Sequence, residues 1–208
     1  MRKVVWGLAP RAAILAVALG TASCTGELTR QGQAASYLVV NELVAASGAE
    51  PDDFEGTLYS DVVTLVEVDS VKVATVYADS GRVTFTLALK DPGPSGAVAT
   101  PTPNNYITIT RYHVRYTRAD GRNTPGVDVP HPFDGAMAVT VGTGSETQTF
   151  EIVRHVAKRE APLAALANNA VIIGMIAEVT FYGRDQTGRE VSAAASILVQ
   201  FGNFGDPT

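Results

Sequence analysis

The sequence predicts an all-β fold, a β-sandwich of about seven to nine antiparallel strands with one short helix. Three observations lead there. Several segments alternate apolar and polar residues with period two, turn-forming residues separate them at short intervals, and only one stretch favours helix.

In chain order, residues 37–46 and 62–77 are Val-rich strand candidates, although 37–46 also reads as a short helix. Val83, Phe85, Leu87 and Leu89 share one parity, with Thr84, Thr86 and Ala88 between them. In 106–118 the parity changes. Ile107 and Ile109 share one face, whereas Tyr112, Val114 and Tyr116 share the other, so a bulge or bend is expected near Thr110 and Arg111. Met137, Val139 and Val141 form a short set, and Met175, Ala177, Val179 and Phe181 a longer one. Val191, Ala193, Ala195, Ile197, Val199 and Phe201 close the series. Residues 158–168 (KREAPLAALAN) favour helix, because Ala and Leu dominate after Pro162.

Turn chemistry separates the runs. Asp79-Ser80-Gly81, Asp120-Gly121 and Gln186-Thr187-Gly188 read as hairpin signals. Residues 91–103 contain four prolines and two glycines and read as an irregular surface loop.

The 208-residue chain has a net charge of -5, with 18% charged and 46% hydrophobic residues. There is no basic stripe or like-charge block, which argues against nucleic-acid binding. Its amino terminus reads as an export signal: Arg2, Lys3 and Arg11 are followed by an apolar run at 12–19 (AAILAVAL), then small residues at 20–23. That run is too short for a permanent transmembrane helix. The expected organisation is a signal peptide at 1–23, a lipidated cysteine and flexible tether at 24–36, and one β-domain at 37–208. The leader holds three basic residues and no acidic ones, so a chain starting at Cys24 is more acidic than the whole.

Cys24 is the only cysteine, and it stands where the signal would be cut. Thr21-Ala22-Ser23-Cys24 resembles the lipobox of bacterial lipoproteins. The resemblance implies a diacylglyceryl thioether on Cys24, cleavage before it and acylation of the new amino terminus. Thr21 replaces the usual leucine, so ordinary signal-peptidase cleavage stays open as the alternative. An exported protein meets oxidants, and lipidation would consume an otherwise free thiol. Thr25 after the cysteine is similar to the outer-membrane sorting pattern of enteric lipoproteins. The implied location is the bacterial cell envelope, outer membrane-anchored or periplasmic, with the membrane as partner through the lipid.

Two segments carry a second resemblance. Residues 109–122 (ITRYHVRYTRADGR) resemble the third strand of fibronectin type III and related immunoglobulin-like domains. Residues 179–201 (VTFYGRDQTGREVSAAASILVQF) resemble the closing hairpin of bacterial immunoglobulin-like domains. Together they imply an immunoglobulin-like β-sandwich. The Cys…Trp…Cys pin of antibody domains is absent, so aliphatic and Phe burial must hold the core. The arrangement is also similar to bacterial lipoproteins of this kind with no assigned activity.

No residue pattern in the chain carries a catalytic, cofactor or metal assignment. His113 reads as an exposed strand residue, His131 lies between two prolines, and His155 follows Arg154 near a strand end. None belongs to an HExxH pair. Gly142-Thr143-Gly144-Ser145 is neither a nucleophile elbow nor a phosphate loop, and reads as a hairpin-like turn. Glu50, Asp52, Asp53 and Glu55 read as a solvated acidic loop and lack EF-hand spacing. Asp120, Asp128 and Asp134 fall in one long loop region. Tyr112, Tyr116 and Tyr182 are candidate sugar-stacking rings, but the first two sit on the expected core face.

The expected function is an envelope-anchored lipoprotein whose immunoglobulin-like domain acts as a structural or adhesive protein-interaction module, not an enzyme. Its expected contacts are an envelope protein or glycan, through loops or an edge strand. One alternative is a glycan- or calcium-binding module. A second is an enzyme of unrecognised type.

Overall fold

The computed structural model describes residues 34–204. The fold is all-β. Its strands are β1 (Ser36–Ala46), β2 (Thr57–Asp61), β3 (Thr64–Val68), β4 (Val71–Thr75), β5 (Asp79–Leu89), β6 (Ile107–Thr117), β7 (Phe133–Val141), β8 (Glu146–Val153), β9 (Ile173–Asp185) and β10 (Glu190–Gly202). A single-turn helix, α1 (His155–Lys158), and two 3-10 turns complete the described elements.

The strands form three sheets, ordered β1-β5-β8, β2-β10-β9-β6-β7 and β3-β4. All pairings are antiparallel except that of β2 with β10. Inward-facing residues of the two larger sheets meet in one apolar core. Val83, Phe85 and Ile152 come from the three-stranded sheet, and Val114, Met175, Phe181 and Phe201 from the five-stranded one. Three edge-to-face ring pairs cross between the sheets: Phe85–Phe181 at 4.9 Å, Tyr112–Phe150 at 4.8 Å and Phe150–Phe181 at 5.5 Å. Such pairs contribute about 0.5–1.5 kcal/mol each beyond simple burial. The Tyr116 hydroxyl donates to the Ile152 carbonyl at 2.6 Å and adds a polar tie between the layers.

The alternating segments behave as their period requires. Met175, Ala177, Val179 and Phe181 are all buried, as are Val191, Ile197, Val199 and Phe201. Residues 37–46 fall within β1, so the strand alternative holds there and the helix alternative does not. The expected bulge in β6 is present, because its register to both β7 and β9 shifts between Ile109 and Arg111. Burial begins before the expected end of the tether, since Ala34 and Ser36 are both buried.

Other expectations also need correction. Asp79-Ser80-Gly81 is not a turn but the first residues of β5, with Asp79 buried. The turn lies earlier, at Asp69-Ser70, which both have positive φ (51° and 64°) and join β3 to β4. Residues 62–77 therefore contain a hairpin rather than one strand. Its turn geometry is normally met with glycine, which hid it. Residues 158–168 do not form one helix. Lys158 ends α1, and a separate 3-10 turn runs over Leu163–Asn168, because Pro162 has no N–H to continue a helical ladder. Residues 142–145 do not close a hairpin within one sheet, since β7 and β8 belong to different sheets.

Candidate functional site

The β3-β4 hairpin forms its own two-stranded sheet among the described residues. Directly opposed residues share a face, so Val66 and Val73 lie beside Val68 and Val71 on one side. Val68, Val71 and Val73 are 51%, 61% and 45% exposed. The other side places Glu67 opposite Lys72 and Leu65 opposite Ala74. A hairpin of this length has little independent stability, so its base must hold it.

That base is a buried polar network. Asp61 ends β2 just before the hairpin, and Asp79 starts β5 just after it. The Lys158 ammonium, from α1, donates to the Asp61 carbonyl oxygen at 2.8 Å and to Asp79 Oδ1 at 2.6 Å. Both side chains of the Lys158–Asp79 pair are buried. The Ser60 hydroxyl donates to Asp79 Oδ2 at 2.6 Å, and the Gly48 N–H to Asp79 Oδ1 at 2.9 Å. Asp61 is also fixed, accepting from the Thr64 hydroxyl at 2.7 Å and the Phe204 N–H at 3.1 Å. Lys158 thereby clips together the two feet of the hairpin. Burial pushes the Asp79 carboxyl above its ordinary range, against the pull of the Lys158 charge and the donors around it.

Gly48 is required where it stands. A Cβ there would lie 2.2 Å from the Ala78 carbonyl oxygen, so only glycine lets the 47–56 loop close on the second foot.

Sheet geometry also sets where the hairpin is displayed. Ser36, the start of β1, pairs with Leu89, the end of β5, whereas the hairpin base adjoins Asp79, the beginning of β5. The eleven residues of β5 span roughly 33 Å at the usual strand rise. The described chain thus enters the sheet at the end opposite the hairpin.

A second feature lies on the solvent face of the five-stranded sheet. A cleft of about 440 Å³ is lined by Thr110, Arg111, Tyr182, Arg184 and Glu190, beside the β6 bulge. The Arg111 guanidinium sits over the Tyr182 ring, 4.0 Å from its centroid, and donates to Asp134 at 3.1 Å. Arg184 donates to Glu190 at 2.8 Å. The two cations are thus partly neutralised, but each guanidinium keeps further donors for a ligand.

The residues singled out in the sequence do not converge. Cys24 and the leader lie outside the described residues. His113 Nδ1 lies 3.3 Å from Asp134 Oδ1 on a half-exposed surface, whereas His131 and His155 are exposed elsewhere. Glu50, Asp52, Asp53 and Glu55 are exposed, and no three His, Cys, Asp or Glu residues among the described ones gather as metal ligands. Asp120 bridges Arg118 and Arg122, whose donors hold its carboxyl well below the usual range. Asp128 accepts from the Thr124 N–H, and Asp134, which lies in β7 rather than in the expected loop, serves Arg111 and His113. Tyr112 and Tyr116 are in the core, and Tyr182 offers one ring face to Arg111.

Lys158, Asp79 and Ser60 were missed by sequence reasoning. Asp79 and Lys158 are 79 positions apart, and no local pattern joins them.

Among known proteins, no family model, curated protein or solved structure matches the chain.

Proposed function

We propose that this chain is an exported, envelope-anchored lipoprotein whose immunoglobulin-like β-sandwich is a protein-interaction module, with the β3-β4 hairpin as its contact element. The observation that carries this is the exposed valine face at Val68, Val71 and Val73 on a hairpin clipped at its base by Lys158. Solvent-facing valines on an arm held at its base gain free energy when a partner covers them, at about 25 cal/mol per Å² of apolar area. Two features support the rest. The three-stranded and five-stranded sheets share one core, and the five-stranded one contains the long β9-β10 hairpin, which favours an immunoglobulin-like sandwich. The hairpin base lies at the end of β5 opposite the one that pairs with Ser36, so an anchor at Cys24 would join the domain away from that base.

The partner that fits is a protein supplying an extended segment alongside β4, whose only described strand neighbour is β3. Val71→Asp combined with Val73→Asp should abolish retention on envelope extracts while leaving the unfolding midpoint unchanged. Equal retention of wild type and double variant would reject the hairpin as the contact. Cys24→Ser should move the protein from the membrane to the soluble fraction, and continued membrane association would reject the lipid anchor.

One observation favours a second reading, as a glycan-binding module. The Arg111–Tyr182 stack and Arg184 in the cleft suit a sugar bearing a carboxylate. Calorimetry with acidic oligosaccharides, wild type against Arg111→Ala, tests it, and no heat with wild type would dismiss it.

A further inference from the structure

We infer that Lys158 and Asp79 are joined in the mature fold by an amide bond between their side chains. The two groups are already in contact at 2.6 Å, with side-chain exposures of 1% and 0%. They come from distant parts of the chain, so only the folded state brings them together. Burial penalises the two charges, and a proton shift from ammonium to carboxylate removes both. The elevated Asp79 carboxyl is consistent with that direction.

The ion pair holds every atom the reaction needs. One proton passes from Lys158 Nζ to Asp79 Oδ1 along their hydrogen bond. The freed Nζ lone pair then adds to Asp79 Cγ, forming the C–N bond and placing negative charge on Oδ2. The Ser60 hydroxyl, 2.6 Å from Oδ2, is placed to stabilise that charge. A second proton passes from nitrogen to Oδ1, the C–Oδ1 bond breaks, and Oδ1 departs as water. The product keeps one hydrogen on nitrogen, and no oxidant, reductant or co-reactant enters. The Asp61 carbonyl orients Nζ, and the Gly48 N–H holds Oδ1, so both reactants are fixed before reaction. Exclusion of bulk water would then shield the amide from hydrolysis. A chain with one cysteine has no intramolecular disulfide, and this link would close the hairpin base covalently instead.

Mass spectrometry of the purified full chain tests the proposal. After denaturation and proteolysis, the wild type should yield a branched peptide in which Lys158 is joined to Asp79, lighter by one water than the two parent peptides together. Lys158→Arg should lack that species. Recovery of two separate, unmodified peptides carrying Lys158 and Asp79 from folded wild-type protein would overturn the inference. That result needs no variant, so it stands even if Lys158→Arg fails to fold.

Discussion

Lys158 Nζ reaches both Asp79 Oδ1 and the Asp61 carbonyl, so a residue at the end of α1 holds the two ends of a hairpin excursion from 61 to 79. A variant without Lys158 can form neither the ion pair nor the amide inferred from it, and it leaves the buried Asp79 carboxylate uncompensated, which costs about 3–5 kcal/mol. Lys158→Met should lower the denaturant midpoint by at least that equivalent. The double change Lys158→Met with Asp79→Leu should lose less than the single one, because it leaves no orphan carboxylate. Hydrogen exchange should report the earliest loss of protection in β3 and β4.

Asp185, at the end of β9, sets a pH-dependent contribution. Its own burial would raise its carboxyl. The Thr187 hydroxyl and the N–H groups of Arg189 and Thr187 nevertheless donate to Oδ1, and the net shift is downward from 3.8. A carboxylate with a depressed folded pKa contributes stability that is present above its unfolded pKa and lost as pH falls through the folded one. Asp185→Ala should therefore cost about 1–3 kcal/mol at neutral pH. The gap to wild type should narrow progressively below pH 3.8, read by urea unfolding across an acid series.

The β6 bulge makes a steric prediction. Gly183 lies opposite Ile109, and a Cβ there would fall 2.5 Å from the Thr108 carbonyl oxygen and 3.1 Å from Ile109 Cα. Both obstacles are backbone, so β6 and β9 would have to separate. Gly183→Ala should lose about 1–3 kcal/mol through overpacking. Gly174→Ala is the control within the same strand, because its Cβ would meet nothing within 4 Å. Thermal melts of the two variants should diverge accordingly.

These features were unequally legible in the sequence. Period-two runs such as 175–181 and 191–201 announce strands because one buried face imposes the alternation. The parity change between Ile109 and Tyr112 announced the bulge for the same reason. Asp79-Ser80-Gly81 has turn composition, but its position was decided by Lys158, Ser60 and Gly48, which no local window contains. The Asp69-Ser70 turn was hidden because neither residue is glycine although both adopt positive φ. The hairpin's exposed valines were equally opaque, since a Val-rich strand normally signals burial, and only the sheet topology leaves this one uncovered.

The most direct test of the hairpin as the contact element is in-cell photo-cross-linking with a photoreactive residue at Val71 and, as control, at Thr84, which faces Thr147 on the three-stranded sheet. A contact through the hairpin should give a discrete protein adduct from position 71, none from position 84, and loss of the adduct when Val73→Asp is added. Absence of an adduct at position 71 in cells that display the protein, or equal labelling at both positions, would contradict it.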